Sequence, residues 1–231
     1  MTFPTSIMSE QPTRTTTTWS GVLFDLDGTL TDSAPGITAS LAGALADIGR
    51  PVPSPDDLTV HVGPPLHETL RSLGLDPDES AEALVAYRAR ADYTDVNGNA
   101  VFPGMVGLLR ALNEAGVPVA LATSKPVQRA RRIIDHFGLL PYFTVIGGSD
   151  ESQHIDTKAD VIRSVVEQLD ARGIDTSHLV MVGDRGHDVL GAEANDVPTV
   201  LVEWGYGSPV EAVGAMAVVH SADQLRTLLL G

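Results

Sequence analysis

The stretch Val22-Leu23-Phe24-Asp25-Leu26-Asp27-Gly28-Thr29-Leu30 decides the fold of this chain. Three consecutive large hydrophobic residues before the first acid predict a strand that is buried on both faces, and Asp27-Gly28 predicts the turn that ends it. Asp25 and Asp27 can therefore point at one place. Their charges repel unless a cation neutralises them or one acid holds a proton, so the pattern favours a cation site or separate acid and nucleophile roles. The stretch is also consistent with a strand that runs into an ordinary Asp-Gly turn.

Composition excludes several classes of function. The chain has 231 residues, of which 43% are hydrophobic, which suffices for a packed α/β domain with an insertion. A net charge of -15 argues against a nucleic acid or an anionic membrane as partner. The absence of cysteine excludes disulfides, thiolate metal sites and thiol catalysis. No apolar run approaches the ~20 residues of a membrane span and no signal-peptide core is present, so we expect a cytoplasmic location.

The pattern along the chain predicts three parts. Residues 1–19, with prolines and four consecutive threonines, predict a flexible leader. Residues 35–100 have apolar positions at helical spacing and no strand pattern, so we expect an inserted all-helical subdomain. Residues 20–34 and 101–231 alternate strand and helix patterns. The expected fold class is α/β, a Rossmann-like parallel sheet with the helical insertion and a site at the carboxyl ends of the strands.

Polar residues follow further predicted strands where those strands end. Thr123-Ser124-Lys125 precede a helix, so the two hydroxyls and the backbone amides can hold an anion, although helix capping explains them almost as well. Asp184 and Asp188 offer oxygen ligands of the kind that hold Mg²⁺, although each acid could instead cap a helix. Lys158, which with Lys125 makes up all the lysine in the chain, lies in the first turn of a helix, where the helix dipole disfavours a cation.

Taken in order, these residues resemble the four motifs of the haloacid dehalogenase superfamily. The motifs are Asp25-Leu26-Asp27-Gly28-Thr29, Thr123, Lys158, and Gly183-Asp184 with Asp188. The helical insertion after the first motif is similar to the first class of cap domain in that superfamily. The resemblance covers about residues 20–231 and is closest to phosphoglycolate-phosphatase-like and 5′-nucleotidase-like members. It implies a Mg²⁺-dependent phosphatase that hydrolyses a small-molecule phosphate monoester through an aspartyl-phosphate.

The resemblance also implies a role for each matched residue. Asp25 is expected to attack phosphorus, and Asp27 to protonate the leaving oxygen and then deprotonate the hydrolytic water. The side chains of Asp25 and Asp184 and the main-chain carbonyl of Asp27 would bind Mg²⁺, with Asp188 ordering metal waters or Lys158.

Phosphate and substrate contacts follow from the same resemblance. Thr123 and Lys158, with backbone amides near Leu26 and Ser124, are expected to hold the phosphoryl oxygens as charge redistributes. The expected substrate-binding residues are Gly28, Thr29 and Ser124 in the core, and Arg71 and Arg88 in the cap.

The sequence is also compatible with activities other than phosphate ester hydrolysis. Asp27 argues against dehalogenation, because halide leaves without a proton and dehalogenases of the superfamily lack this acid. The polar residues of the cap that could select a substrate are equally explained as surface residues; they are His61, His67, Arg71, Arg88 and Arg90. The segments His61–Leu70, Met181–Arg185 and Trp204–Gly207 resemble a superfamily member described as a protein tyrosine kinase. A phosphotransferase activity and a non-catalytic module that binds a phospho-ligand therefore stay open.

Overall fold

The computed structural model describes residues 19–231. Residues 1–18 of the predicted leader lie outside the described residues, and Trp19, its last residue, packs against the hydrophobic core. Within the described range, none of the helices has the length and apolar character needed to cross a membrane.

The described residues form an α/β fold with a parallel sheet. The strands are β1 (Gly21–Phe24), β2 (Thr31–Asp32), β3 (Ala100–Val101), β4 (Val119–Pro126), β5 (Val145–Ser149), β6 (Leu179–Gly183), β7 (Thr199–Val202) and β8 (Ala217–Val219). The helices are α1 (Ala34–Asp47), α2 (Pro55–Thr59), α3 (Leu66–Ser72), α4 (Pro77–Asn97), α5 (Met105–Glu114), α6 (Val127–His136), α7 (Lys158–Asp170), α8 (Gly186–Glu193) and α9 (Ala222–Leu230). Six strands pair in parallel in the order β5-β4-β1-β6-β7-β8, which confirms the expected fold class.

Strand β1 lies in the middle of the sheet and is buried on both faces. Val22 and Phe24 pack against α5, α6 and α9 on one face, whereas Leu23 packs against α7 and α8 on the other. All three side chains are fully buried, and each such burial contributes about 1.5–3 kcal/mol to stability. Because β4 and β6 flank β1, the polar residues that follow these three strands meet at one edge of the sheet.

Helices α1 to α4 lie between β2 and β3 and share a hydrophobic cluster of their own. The short strands β2 and β3 pair antiparallel, Thr31 with Val101 and Asp32 with Ala100, where the chain enters and leaves these helices. The sequence pattern did not predict this ribbon or α2, because each is too short to show a period. The boundaries of the cap at residues 35 and 100 stay a prediction.

Candidate active site

The turn after β1 requires a glycine. Gly28 has a φ of +89°, and a Cβ built at this position would lie 2.3 Å from Oδ2 of Asp184. Gly28 therefore lets the loop that carries Asp27 approach the loop after β6.

Three buried acids meet where the central strands end. Asp25, Asp184 and Asp188 each offer a carboxylate oxygen, and these oxygens lie within 4.8 Å of one another. The ammonium Nζ of Lys158 lies 2.6 Å from Oδ1 of Asp25 and 2.7 Å from Oδ1 of Asp188. It also donates a hydrogen bond of 2.9 Å to the carbonyl of Ala122. The structure thus brings together four residues that the sequence predicted at one site.

The electrostatics of this cluster suit a divalent cation. Burial raises the pKa of Asp25, and Lys158 offsets only part of this effect. Burial also raises the pKa of Asp184 well above its ordinary value, and repulsion by Asp188 and Asp25 adds to it. Burial alone would lower the pKa of Lys158, but Asp188 and Asp25 outweigh it and raise that pKa. The cluster contains three carboxylates and one ammonium group, which contacts Asp25 and Asp188, so its oxygen donors are of the kind that Mg²⁺ prefers.

Asp184 and Asp188 are held differently. Oδ2 of Asp184 accepts a hydrogen bond of 2.7 Å from the amide of Tyr206, and Oδ1 accepts one of 3.3 Å from the Thr29 hydroxyl. Oδ2 of Asp188 accepts hydrogen bonds from the amides of Asp184 and Arg185, at 3.1 and 3.0 Å. Asp188 therefore binds the loop after β6 through Oδ2, and it orients the ammonium of Lys158 through Oδ1.

Asp27 pairs with Lys125, whereas Asp25 and Asp188 of the acidic cluster pair with Lys158. Oδ2 of Asp27 lies 3.1 Å from Nζ of Lys125, which in turn lies 3.5 Å from Oδ1 of Asp95 on α4. Burial raises the pKa of Asp27, and Lys125 offsets part of the rise. A carboxyl group that keeps its proton more readily suits general acid chemistry. No sequence motif indicated a role at the site for the side chains of Lys125 and Asp95.

The predicted phosphate contacts lie at the same edge. Thr123 is buried inside β4, which continues to Pro126, and its hydroxyl accepts a hydrogen bond of 3.3 Å from the amide of Lys125. Ser124 lines a cavity beside Asp27. The Thr29 side chain is fully buried and donates to Asp184, so in this structure it supports that acid and does not line the cavity.

The cavity has a volume of about 160 Å³ and lies between the sheet edge and helices α1, α3 and α4. Five apolar or aromatic side chains form part of its cap side; they are Ile37, Leu41, Leu66, Leu84 and Tyr87. Among the predicted cap candidates, His61, His67 and Arg88 line it, whereas Arg71 is exposed and does not. Arg88 pairs with Glu151 at 3.0 Å, also at the cavity wall. Arg129 lines the cavity too, although the sequence analysis did not single it out.

A loop after β7 supports both the acids and the start of the cap. The Trp204 indole Nε1 donates a hydrogen bond of 3.1 Å to the carbonyl of Thr29. The phenol of Tyr206 accepts from the amides of Ser33 and Ala34, at 2.7 and 2.9 Å, and donates to Asp32 at 2.8 Å. The sequence resemblance had marked this loop, but it did not indicate what the loop contacts.

Arg185, next to Asp184, contacts the cap. Its Nε lies 3.0 Å from Oε2 of Glu211, and its guanidinium donates a hydrogen bond to the carbonyl of Val62. The loop before α3 is thereby held against the loop after β6.

The sequence and the fold are similar to those of known proteins. A family model described as "Haloacid dehalogenase-like hydrolase" matches residues 22–202. The chain is 47% identical over 212 residues to tyrosine-protein kinase PtkA of Mycobacterium tuberculosis, covering 90% of this chain and 72% of the relative. It is 39% identical over 203 residues to a 5′-nucleotidase of Pseudomonas aeruginosa, covering 87% and 90%. A crystal structure of a predicted phosphatase from Clostridium acetobutylicum superposes with a TM-score of 0.83 at 37% identity, covering 90% and 97%.

Proposed function

Because the chain belongs to the haloacid dehalogenase-like hydrolases and is a hydrolase of the phosphatase type, we propose that it hydrolyses a small-molecule phosphate monoester through an aspartyl-phosphate on Asp25, with Mg²⁺ as cofactor. The observation that carries this proposal is the position of the Asp25 carboxylate. Nζ of Lys158 lies 2.6 Å from Oδ1 of Asp25, Asp184 and Asp188 lie beside this carboxylate, and Asp27, two residues along the chain, lines the cavity.

The chemistry requires two steps at phosphorus. In the first, an oxygen of Asp25 bonds to phosphorus, the bond to the ester oxygen breaks, and Asp27 gives its proton to that oxygen. In the second, Asp27 takes a proton from water, the water oxygen bonds to phosphorus, and the bond to Asp25 breaks. Phosphate leaves and both acids return to their starting states.

Charge on the phosphoryl oxygens is met by residues at the strand ends. Lys158 supplies a fixed positive charge, while the Thr123 hydroxyl and the backbone at Ser124 can donate hydrogen bonds. Mg²⁺, bound by the side chains of Asp25 and Asp184 and the main-chain carbonyl of Asp27, would supply further charge neutralisation between nucleophile and phosphate.

The substrate class follows from the cavity. The apolar cap side and the small volume favour a compact leaving group, and Arg88, His61 and His67 favour one with polar or anionic groups. This is consistent with the resemblance to phosphoglycolate-phosphatase-like and 5′-nucleotidase-like members.

A phosphate-release screen over small phosphate monoesters tests the proposal. We expect Mg²⁺-dependent release by the wild type, loss of release in Asp25→Asn, and retained release in the exposed control Asp170→Asn. Activity that survives Asp25→Asn, or that is indifferent to a chelator, contradicts the mechanism. Beryllium fluoride binding that depends on Asp25 would exclude the alternative of a non-catalytic binding module.

A second candidate is phosphoryl transfer to a protein tyrosine. It is favoured by the 47% identity to a relative that is named a tyrosine-protein kinase. Incubation with γ-labelled ATP and a tyrosine-containing protein substrate tests it. Labelling of tyrosine faster than ATP hydrolysis would support it, and hydrolysis without labelling would exclude it.

A further inference from the structure

Helix α4 carries a charged residue on its buried face. Its buried positions recur every four residues, at Ala83, Tyr87, Ala91 and Asp95. This spacing places them on one side of the helix. Asp95 is only 6% exposed, and an unpaired carboxylate at such a position would be costly. Its partners must therefore come from the elements that α4 packs against.

Those partners are two cations from the core. Nε of Arg129, on α6, lies 2.6 Å from Oδ2 of Asp95, and Nζ of Lys125, at the end of β4, lies 3.5 Å from Oδ1. The Arg129 guanidinium also lies 5.6 Å from the ring centre of Tyr87. Nζ of Lys125 also lies 3.1 Å from Oδ2 of Asp27.

The four ionisable groups form one cluster. Lys125 and Arg129 contribute two positive charges and Asp95 one negative charge, and Asp27 adds a second negative charge once it has given up its proton. Burial and close pairing make the charges interdependent, because removing one leaves another buried without a partner. Lys125 is the link between the general acid and the cap helix.

We propose that Asp95 and Lys125 are positioning residues for Asp27: the cap carboxylate orients the Lys125 ammonium, and that ammonium holds the Asp27 carboxyl where it meets the leaving oxygen. This inference rests on the proposed function. Asp95 comes from α4 and Lys125 from β4, so the arrangement exists only when α4 is docked on the core. Cap docking and proton delivery are thereby coupled through a single shared cation.

Leaving-group dependence separates this role from a merely structural one. A 4-nitrophenolate departs from phosphorus with little need of a proton, whereas an alkoxide requires one. Displacement of Asp27 therefore slows the first step, which kcat/KM reports, much more for an alkyl phosphate than for 4-nitrophenyl phosphate. The second step, in which Asp27 acts as base, is common to both esters and affects kcat alike. General loosening of the cap would slow both alike.

The experiment compares Asp95→Asn with Asp92→Asn. Asp92 lies on the same helix and pairs with Arg132 of α6 at 2.7 Å, but its side chain is 70% exposed, and the pair is separate from Lys125. We expect Asp95→Asn to lower kcat/KM for an alkyl phosphate by about tenfold or more and kcat/KM for 4-nitrophenyl phosphate by less than about threefold, a fraction of the full general-acid effect. Lys125→Gln should reproduce this pattern, and Asp92→Asn should change both rates by less than about twofold.

The double variant Asp95→Asn/Arg129→Gln removes one charge of each sign, so it leaves the net charge of the cluster unchanged, and it replaces Asp95→Asn in the test if that single variant does not fold. Equal losses of kcat/KM on the two substrates would overturn the inference. So would an effect of Lys125→Gln confined to KM for esters with a second anionic group, because that would make Lys125 a substrate contact. A wild type that releases no phosphate from either ester would instead overturn the proposed function itself.

Discussion

The ammonium of Lys158 lies 2.6 Å from Oδ1 of Asp25, a residue 133 positions away in the sequence. At the first position of α7, a lysine opposes the helix dipole at a cost of a few tenths of a kcal/mol. Lys158 is only 7% exposed and contacts two carboxylates, so this small unfavourable effect is outweighed by pairing within the site.

We expect Lys158→Met to lower kcat for phosphate release by about 10²–10³-fold, the cost of removing one preorganised group that stabilises developing charge. The reason is that no other described cation contacts both Asp25 and Asp188. Steady-state kinetics with saturating ester measure it. Arg163→Gln, on the exposed side of α7, is the matched control and should retain activity. Full activity in Lys158→Met would refute the role given to Lys158.

Mg²⁺ at a concentration of roughly 100 times its Kd should stabilise the native state by about 2.7 kcal/mol, because it binds the native and not the unfolded state. The melting temperature of the wild type should therefore rise by about 5–10 °C. Asp25, Asp184 and Asp188 repel one another in the metal-free protein, and a cation relieves that repulsion. Asp184→Asn should abolish the shift. Thermal unfolding with and without Mg²⁺ measures both, and an equal shift in Asp184→Asn would place the ion elsewhere.

Tyr206→Phe should destabilise the protein by about 1–3 kcal/mol, since it leaves two amides at the start of α1 without their acceptor. The Ser33 side chain does not replace it, because it makes no capping hydrogen bond. Urea unfolding measures the change. Tyr93→Phe removes a hydroxyl from a side chain that is 69% exposed and should be near neutral. Equal stability of the two variants would show that the phenol of Tyr206 does not cap the helix.

Glu211 predicts a pH dependence of stability. Partial burial alone would raise the pKa of Glu211, but hydrogen bonds from the amides of Gly186 and Ser208 and from Arg185 outweigh it and lower that pKa from 4.5 to about 2. The ionised form is therefore favoured by folding, so its contribution is fully present above pH 4.5 and is lost as the pH falls towards 2.

Glu211→Gln should accordingly be less stable than the wild type at pH 7, with a difference that narrows below pH 4.5 and closes near pH 2. Urea unfolding at a series of pH values measures the difference. Glu193→Gln, at an exposed site, controls for the loss of one surface charge. A difference that does not change between pH 7 and pH 3 would contradict the linkage.

The sequence could predict which residues approach the site because parallel strands end at a common edge. Asp25 and Asp184 directly follow β1 and β6, and Thr123 follows the evident apolar run within β4, so their convergence follows from the topology of the sheet. Lys158 was predicted through the family resemblance and an unfavourable helix position. The paired strands β2 and β3 were not predicted, because two residues carry no period.

Contacts between the cap and the core could not be predicted in this way. Asp95 offered one signal, its place in a buried stripe with a spacing of four, but the stripe does not show which cations it meets. The Tyr206 contacts with Ser33 and Ala34 join residues more than 170 positions apart, and no local pattern encodes them.

The amino-acid sequence by itself determined the α/β fold, the order of the acids and the presence of a helical insertion, since these follow from apolar periodicity and from motifs a few residues long. Only the tertiary structure decided that Asp27 pairs with Lys125 while Asp25 pairs with Lys158. Both lysines are compatible with either acid as far as the sequence goes, and the choice depends on distances of a few ångströms that packing alone sets.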